Sequence, residues 1–349
     1  MGYIYIFSAL ILLVMYFIAN KLVQKRLGSG PAAALSYSCI RNFISALIMF
    51  MVYAFMFRGA PKLSGFSVTL AVLLSVFVCA YTIVGFRILG YGSVSVFTVF
   101  LMLGGMILPY IYGIIWLGEG TGIFRIIGIV LMVISLFFPL IGGTADGVNR
   151  TRREKIVFGL LCFLVFILNG AVSIVSKMHA VKMSDKLDVL ISFVFMCAFS
   201  NAVLSLCALG VLRFISYRKA KMAGNIASKD NLSEAAGSNA ADSFATDGSV
   251  TDDSTADGNV SENAVDPVSS LLRKVLPLIA LTAIFDGVSF FFQQLGAGQV
   301  PASVMYPIMT GGSIVLSSLA GYIIFKEKLS KFAIIGLIIT FASTFLFLF

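Results

Sequence analysis

The feature that most restricts the fold of this 349-residue chain is a series of long apolar stretches, separated by short charged or glycine-rich breaks. A helix needs about 20 apolar residues to cross the hydrocarbon core of a bilayer. Charged residues make up only 12% of the chain, about half their share in a soluble domain. The pattern predicts an all-α, polytopic membrane protein of about ten spans. The predicted spans cover residues 2–21, 33–57, 66–88, 94–117, 123–141, 156–178, 188–212, 272–294, 300–324 and 332–349.

The composition argues against several kinds of site. His179 is the only histidine, so a site that needs several imidazoles cannot form, and the five cysteines lie inside predicted spans without CxxC spacing. We therefore predict no metal and no cofactor. The sequence also lacks paired acids, a Gly-Lys-Ser/Thr phosphate loop and a nucleophile at useful spacing from a base. We predict that the chain is not an enzyme, and that His179, just beyond span 6, lies at the membrane interface.

Charge is unevenly distributed along the chain. The formal net charge is +9, yet residues 225–270 contain nine acids and one base. Serine, aspartate, alanine and glycine dominate this segment, which is typical of a disordered loop, here between spans 7 and 8. The basic excess of the rest of the chain lies mainly at helix ends, where it contacts anionic lipid headgroups. We therefore expect membrane lipids as partners and no nucleic acid.

The basic residues also predict an orientation. Eighteen Lys and Arg lie in or beside the loops after spans 1, 3, 5, 7 and 9, and six lie beside the alternate loops. Cytoplasmic loops carry the excess of positive charge. The odd-numbered loops are thus predicted to be cytoplasmic and both termini outside, with the protein in the cell membrane.

The chain contains an internal repeat, with halves at 1–141 and 156–349 joined by a basic linker at 142–155. Because each half has an odd number of spans, the halves are predicted to cross the bilayer in opposite directions, as in many secondary transporters. The matched positions are Leu89-Gly-Tyr-Gly92 with Leu295-Gly-Ala-Gly298, Gly118-Glu119 with Lys326-Glu327, and Lys21 with Lys177.

Motifs in the last 55 residues, together with Arg41-Asn-Phe43 in span 2, resemble the EamA-type drug/metabolite transporters of the DMT superfamily. The resemblance covers nearly the whole chain except the acidic loop. It implies ten helices, two EamA repeats and the import or export of small organic metabolites by alternating access. Family members usually have cytoplasmic termini, opposite to the orientation that the charges predict. The motifs are Gly296-Ala-Gly-Gln-Val-Pro-Ala-Ser303, Tyr306-Pro-Ile, Thr310-Gly-Gly-Ser313, Phe325-Lys-Glu-Lys-Leu329 and Gly336.

Span 2 carries an arginine deep in the membrane. Arg41 lies some eight residues into the span, about 12 Å deep at 1.5 Å per residue. Tyr37 and Ser45 share its helix face. A guanidinium stays charged and can hold a carboxylate, phosphate or sulfate through two parallel hydrogen bonds. Alternatively, Arg41 binds helix-end carbonyls or extends to the cytoplasmic surface.

Asp286 is the only carboxylate deep within a predicted span, and Thr282, Ser289 and Gln293 lie on the same face of span 8. Burial favours the neutral form of a carboxyl group, so Asp286 is the candidate for proton coupling. Its alternative role is a structural partner to Arg41 or to a hydroxyl.

Polar stripes also mark spans 6 and 9. Lys177 is predicted to meet the substrate, or alternatively to mark the end of span 6. The span 9 stripe is explained either by a substrate or by helix packing. Pro109 and Pro307, inside spans 4 and 9, can kink helices in matching positions of the two halves. The candidates are Asn169, Ser173 and Lys177 in span 6, and Tyr306, Thr310 and Ser313 in span 9.

Together these features predict a secondary transporter whose small-molecule substrate binds between the repeats, on the stripes of spans 2, 6, 8 and 9. The alternatives are a flippase for a lipid-linked substrate, a subunit of a larger transporter and, less favoured, a membrane-embedded enzyme. The protein is expected to be a monomer or a homodimer.

Overall fold

The structure, a computed structural model, describes residues 1–27, 31–90, 94–120, 122–142, 152–238, 266–326 and 330–348. These residues form ten α-helices and no strands. The helices are α1 (Gly2–Leu27), α2 (Pro31–Phe57), α3 (Gly65–Gly90), α4 (Val94–Trp116), α5 (Ile123–Gly142), α6 (Arg152–Lys182), α7 (Leu187–Ser238), α8 (Asp266–Gln299), α9 (Ala302–Phe325) and α10 (Lys331–Leu346).

Eight of these helices are long and apolar enough to cross a membrane, whereas α5 and α10 contain shorter apolar stretches, Ile123–Phe138 and Lys331–Leu346. Large apolar side chains such as Phe55 and Trp116 are 89% and 71% exposed, while Ser75, Thr282 and Ser289 are buried. Apolar groups outside and hydrogen-bonding groups inside suit a lipid surrounding. The chain is a multi-pass helical membrane protein; ten spans, which would require α5 and α10 to cross, stay a prediction.

The segment predicted to be a disordered loop is only partly described. Helix α7 continues to Ser238 and α8 begins at Asp266, so helix extends into both ends of the segment 225–270. Residues 239–265 lie outside the described residues.

The first five helices pack extensively on the last five. Helix α1 packs on α8 and α9, and correspondingly α6 packs on α3 and α4. Helix α2 packs on α8, as α7 does on α3, and further pairs between the halves are α2 with α7, α4 with α9, and α5 with α10. Exchanging each of the first five helices for the helix five places later leaves this set of pairs unchanged, whereas a smaller contact between α5 and α9 does not follow this symmetry. This pattern is the one expected of a five-helix repeat; the inverted orientation stays a prediction.

Two glycines bring α4 and α6 into backbone contact. A Cβ atom on Gly104 would lie 2.1 Å from the Phe166 carbonyl oxygen, and one on Gly170 would lie 2.2 Å from Leu108 Cδ1. In the corresponding pair, a Cβ on Gly312 of α9 would lie 2.6 Å from Leu10 Cδ2 of α1. Small residues allow membrane helices to approach closely. They hold α4, α6, α9 and α1 around the interior.

Matched residues end α4 and α9 with left-handed backbone. Gly118 follows α4 with φ 65°, and Lys326 caps α9 with φ 53°. A left-handed residue commonly terminates a helix, and glycine adopts this conformation without strain. The two positions are those that the internal repeat aligns, so the corresponding hairpins begin with the same backbone geometry.

His179, which the sequence places near the membrane interface, is buried inside the protein. It is fully buried near the end of α6, where its ring stacks on Phe193 with 3.7 Å between ring centroids. Its Nε2 lies 3.0 Å from Ser67 Oγ. The sequence correctly places His179 near a helix end but does not reveal that α3 and α7 cover it.

Candidate functional site

The polar stripes of α2 and α8 face each other. The Tyr37 hydroxyl donates a hydrogen bond to Thr282 Oγ1 at 3.2 Å. One turn further along both helices, Arg41 Nη1 lies 3.6 Å from Asp286 Oδ2. Next to Asp286, the two helices approach closely at a glycine: a Cβ on Gly287 would lie 2.5 Å from Ser45 Oγ of α2. The stripes that the sequence places on separate helices therefore form one interface.

The Arg41 guanidinium is held in place by three neighbours. Its Nη1 donates a hydrogen bond to the Tyr16 hydroxyl, and its Nη2 donates one to Asn42 Oδ1 at 3.2 Å. The guanidinium carbon also lies 5.3 Å from the Tyr16 ring centroid and 5.7 Å from that of Tyr37. Cations are attracted to aromatic faces at such distances. The Arg41 Nε is buried and has no hydrogen-bond partner among the residues that the structure describes, so part of the donor capacity of the guanidinium is unused there.

The Asp286 carboxylate is nearly without partners. None of the described residues donates a hydrogen bond to it, and its only ion-pair partner among them is Arg41. The 3.6 Å separation exceeds the roughly 2.7–2.9 Å of a charge-assisted N–H···O hydrogen bond. The side chain is 30% exposed and faces a cavity. Its oxygens therefore remain available to accept hydrogen bonds.

The cavity beside this pair, here named the Arg41 cavity, has a volume of about 210 Å³. It lies among helices from both ends of the sequence. Its apolar wall includes Leu13, Val172 and Phe290. Its polar lining consists of Arg41, Asn42, Ser45, Tyr81, Asn201, Asp286, Ser289 and Gln293. The side chains of Tyr81, Asn201 and Gln293 make no hydrogen bond with the described residues.

Two further cavities follow the Arg41 cavity through the bundle, each sharing lining residues with the one before it. The Asn169 cavity, of about 330 Å³, shares Leu13, Tyr81, Val172, Phe290 and Gln293 with the Arg41 cavity. The Lys21 cavity, also of about 330 Å³, shares Phe17 and Met102 with the Asn169 cavity. The series thus extends from the charged pair to the end of the bundle where α1 and α9 end. The polar lining of the Asn169 cavity is Tyr81, Asn169, Ser173, Ser176, Gln293, Tyr306, Thr310 and Ser313.

The opposite end of the bundle is closed around Lys177. The lysine is 2% exposed, and its Nζ donates hydrogen bonds to the carbonyls of Ala297 at 2.7 Å and Val300 at 2.6 Å. Glu119, from the loop between α4 and α5, accepts hydrogen bonds from the backbone N–H groups of Ala302 at 2.6 Å and Ser303 at 2.8 Å. Its Oε1 lies 4.0 Å from Lys177 Nζ. One buried cation and one carboxylate together satisfy the end of α8 and the start of α9.

Nine of the twelve residues that the sequence suggests for the site line the Arg41 or the Asn169 cavity. Several of these side chains are bonded to backbone: Ser289 donates to the Ala9 carbonyl, Tyr306 to that of Ser173, and Asn169 to that of Leu101. The other three candidates, Tyr37, Thr282 and Lys177, do not line either cavity.

Sequence reasoning missed Tyr16, Tyr81 and Asn201. Asn201 is an amide in the middle of an apolar span, which is a signal that the sequence offers. The two tyrosines give no such signal, because a tyrosine in a membrane helix is compatible with packing alone. Among the described residues, no three of His, Cys, Asp and Glu are grouped so that they could hold a metal ion.

Comparison with known proteins finds a similar fold but no matching family. No family model and no curated protein sequence matches the chain. A solved structure described only as "Crystal structure of protein" matches with a TM-score of 0.63 and 15% sequence identity, over 99% of this chain and 95% of the other. At that identity the likeness concerns the fold alone. Fold and site together define a multi-pass helical membrane protein in which a charged pair faces a series of internal cavities.

Proposed function

We propose that this protein is a secondary transporter of the EamA drug/metabolite type, which moves a small organic solute by alternating access between two inverted five-helix repeats. The observation that carries the proposal is the Arg41–Asp286 pair, which faces cavities lined by both the first five and the last five helices. Charged groups within membrane helices are costly, and they usually mark a substrate or ion pathway. The polar residues that line the Arg41 and Asn169 cavities form the proposed binding region.

The two ends of the bundle support alternating access. Cavities extend from Arg41 to Lys21 at one end of the bundle. At the other end, Lys177 and Glu119 connect α6 and the loop after α4 to the point where α8 ends and α9 begins. A carrier needs a state in which its site is reached from one side only. We assign this structure to the state that opens toward the loop after α1.

The direct test is transport by the purified protein in liposomes. Proteoliposomes are incubated with a defined mixture of small metabolites, and their contents are then identified by mass spectrometry. We expect at least one solute to accumulate or exchange, and Arg41→Lys to reduce this strongly, because a lysine is a point charge without the planar donor pattern of arginine. Absence of any solute-specific uptake would remove the carrier assignment.

A matched variant separates site effects from general damage. Arg125 donates a hydrogen bond to the Gly120 carbonyl at 2.9 Å, and its buried Nε, like that of Arg41, has no partner among the described residues. Arg125 lines neither the Arg41 nor the Asn169 cavity. Arg125→Lys should therefore leave uptake unchanged. Uptake that needs a second protein would favour the transporter subunit, and movement of labelled lipids in place of solutes would favour the flippase.

Proton coupling by Asp286 is tested in the same vesicles. If the carboxylate carries a proton, Asp286→Asn should abolish the pH dependence of uptake while leaving binding measurable. Unchanged pH dependence in this variant would assign Asp286 to substrate binding or to structure only.

A further inference from the structure

We infer that the solute held in the Arg41 cavity is a small zwitterion, carrying an ammonium and a carboxylate group close together as an α-amino acid does. This rests on the proposed transport function and adds the substrate class to it. The solute carboxylate binds Arg41, and the solute ammonium binds Asp286. The inference follows from the chemistry of the pair, taken one group at a time.

Arg41 excludes a solute that is only a cation. An arginine keeps its charge under all conditions that a folded protein meets, and this guanidinium faces the cavity 3.6 Å from Asp286, its only carboxylate partner among the described residues. A cation that took Asp286 as its partner would lie beside a guanidinium that has lost its counter-charge. The Arg41 side chain is only 16% exposed, and an unpaired charge that is largely buried is strongly unfavourable.

Asp286 disfavours a solute that is only an anion. Such a solute could occupy Arg41 only next to an ionised carboxylate, or next to a protonated one. A protonated carboxyl group needs an acceptor for its hydrogen, and none of the described residues forms a hydrogen bond with Asp286.

A zwitterion satisfies both side chains without changing the charge of the site. The pair is separated by 3.6 Å and is not hydrogen-bonded, so its members can part to accept solute groups without losing a short contact. Tyr16 and Asn42 keep the guanidinium oriented, while the Asp286 carboxylate has unused acceptor positions for the three donors of an ammonium group.

The surroundings fit the rest of such a molecule. Tyr81 and Gln293 have no hydrogen-bond partner among the described residues and offer polar contacts beside the pair. Phe290 and Val172 line both the Arg41 cavity and the adjoining Asn169 cavity, and so provide an apolar wall along which a side chain can extend. A small solute with one charged end and a short apolar part is therefore complementary to this space.

The test measures ligand-induced stabilisation of the purified full-length protein in detergent. Three zwitterions of increasing size are used, L-alanine, L-leucine and L-phenylalanine. Each is compared with the amine that lacks its carboxylate and with the acid that lacks its amino group. The comparison within each set of three keeps the apolar part constant and changes only the charges.

We expect at least one zwitterion to raise the unfolding temperature, since a ligand of the folded state stabilises it. Its amine and acid counterparts should bind about 30-fold more weakly or worse, because each leaves one charge of the pair without a partner. Equal binding by an amine or an acid would overturn the inference, as would the absence of stabilisation by all three zwitterions.

A variant with an expected gain of binding excludes misfolding as an explanation. Asp286→Asn removes the group that disfavours a lone anion, so this variant should bind the acid at least as tightly as the zwitterion. Asp188→Asn is the matched control, because Asp188 also pairs with a single cation, Lys62 at 3.2 Å, away from the cavity. This control should keep the preference for the zwitterion; loss of the preference there, or its retention in Asp286→Asn, would contradict the assignment.

Failure of this inference is distinguishable from failure of the proposed function. If the vesicle assay finds uptake of solutes other than zwitterions, the protein is a carrier and only the substrate class is wrong. If no solute enters the vesicles, the carrier assignment itself fails.

Discussion

The two ends of the helical bundle contain matching lysines in contrasting surroundings. At one end, Lys177 is buried and bonded to the Ala297 and Val300 carbonyls. At the other, Lys21, which the internal repeat aligns with Lys177, lines a cavity and lies 4.6 Å from the Phe325 ring centroid. Lys25 lies 4.8 Å from the same ring. Residues that are equivalent in sequence thus take part in a sealed end and in an open one.

This difference indicates what would change during transport. If the repeats exchange conformations, the contacts now made around Lys177 would form around Lys21, and the cavities would extend to the opposite surface. The closed end has short hydrogen bonds between charged groups and helix termini, whereas the open end has cation–aromatic contacts, which are weaker. The comparison therefore predicts that substitutions at the closed end have larger effects on stability.

The largest expected effect is an all-or-none difference in labelling from the two sides of the membrane. In a cysteine-free background, Lys62→Cys should react with an impermeant thiol reagent from outside intact cells, and Arg152→Cys only after permeabilisation. Both residues are exposed; Lys62 lies between α2 and α3, and Arg152 is the first residue of α6. Lys62 is a better labelling site than Gly2 near the N-terminus, because a Cβ at position 2 would lie 2.7 Å from Val300 Cγ2. Reversed labelling would place both termini in the cytoplasm.

The same reagent tests which end is open. Ser317 lines the Lys21 cavity, so Ser317→Cys should be labelled from the side that labels Arg152→Cys. If Ser317→Cys reacts only from the side that labels Lys62→Cys, the assignment of the open end is wrong.

Removing the buried cation should have the largest effect on stability. Lys177→Met leaves two helix-end carbonyls and Glu119 without their charged partner, and we expect a loss of about 3 kcal/mol. The measurement is unfolding of the purified protein in detergent. The control is Lys62→Met, since Lys62 pairs with Asp188 but its side chain is 75% exposed; a change of about 0.5 kcal/mol or less is expected there. Equal effects of the two variants would show that Lys177 does not hold the closed end together.

The sequence predicts the helices and the polar stripes because both depend on local periodicity. It also pairs Lys21 with Lys177 and Gly118 with Lys326, because the repeat preserves spacing. The sequence does not reveal which residues on different helices contact each other. The sequence gives a site role and a helix-end role for Lys177 with no means of choosing, since the choice depends on how α8 and α9 approach α6. In the structure α6 continues to Lys182, and Lys177 contacts the carbonyls of Ala297 and Val300 at the end of α8, a partner that neither role specifies.

Glu119 illustrates the same limit. Its position after α4 predicts a role in the hairpin between α4 and α5, and its backbone N–H does bond the Gly113 carbonyl at 3.0 Å. Its carboxylate, however, caps α9, about 180 residues further along the chain. The Arg41–Asp286 contact is likewise one of two alternatives open to the sequence, and only the facing of α2 and α8 brings the two groups together.

Neutralising Glu119 should have a smaller effect than removing Lys177. Glu119→Gln keeps an acceptor for one N–H group of α9 but loses the charge that strengthens both hydrogen bonds and faces Lys177. We expect a loss of about 1–2 kcal/mol. Ser330→Ala at the open end is the comparison, because Ser330 caps α10 through a single neutral hydrogen bond from Ala333 N at 3.1 Å; we expect a loss of about 1 kcal/mol or less. A larger loss for Ser330→Ala in the same unfolding measurement would contradict the greater strength of the closed end.

The smallest expected effect is a gain in stability at the open end. Gly118 and Lys326 adopt the same left-handed backbone at matched positions, with φ 65° and 53°, but only glycine does so without strain. A side chain in this conformation costs about 1–2 kcal/mol, and glycine loses about 0.5–1 kcal/mol more backbone entropy on folding. Lys326→Gly should therefore stabilise the protein by about 0.5 kcal/mol.

The reciprocal substitution at the closed end is the control for this gain. A Cβ on Gly118 would have no heavy atom within 4 Å, so Gly118→Ala tests backbone strain without a steric clash. It should destabilise the protein by about 0.5–1 kcal/mol, with the sign opposite to that of Lys326→Gly. Thermal unfolding of both variants in the same detergent measures the two shifts. If Lys326→Gly is destabilising while Gly118→Ala behaves as expected, the Lys326 side chain makes a stabilising contact at the open end that outweighs its backbone strain, and the two hairpins are equivalent in geometry but not in energy.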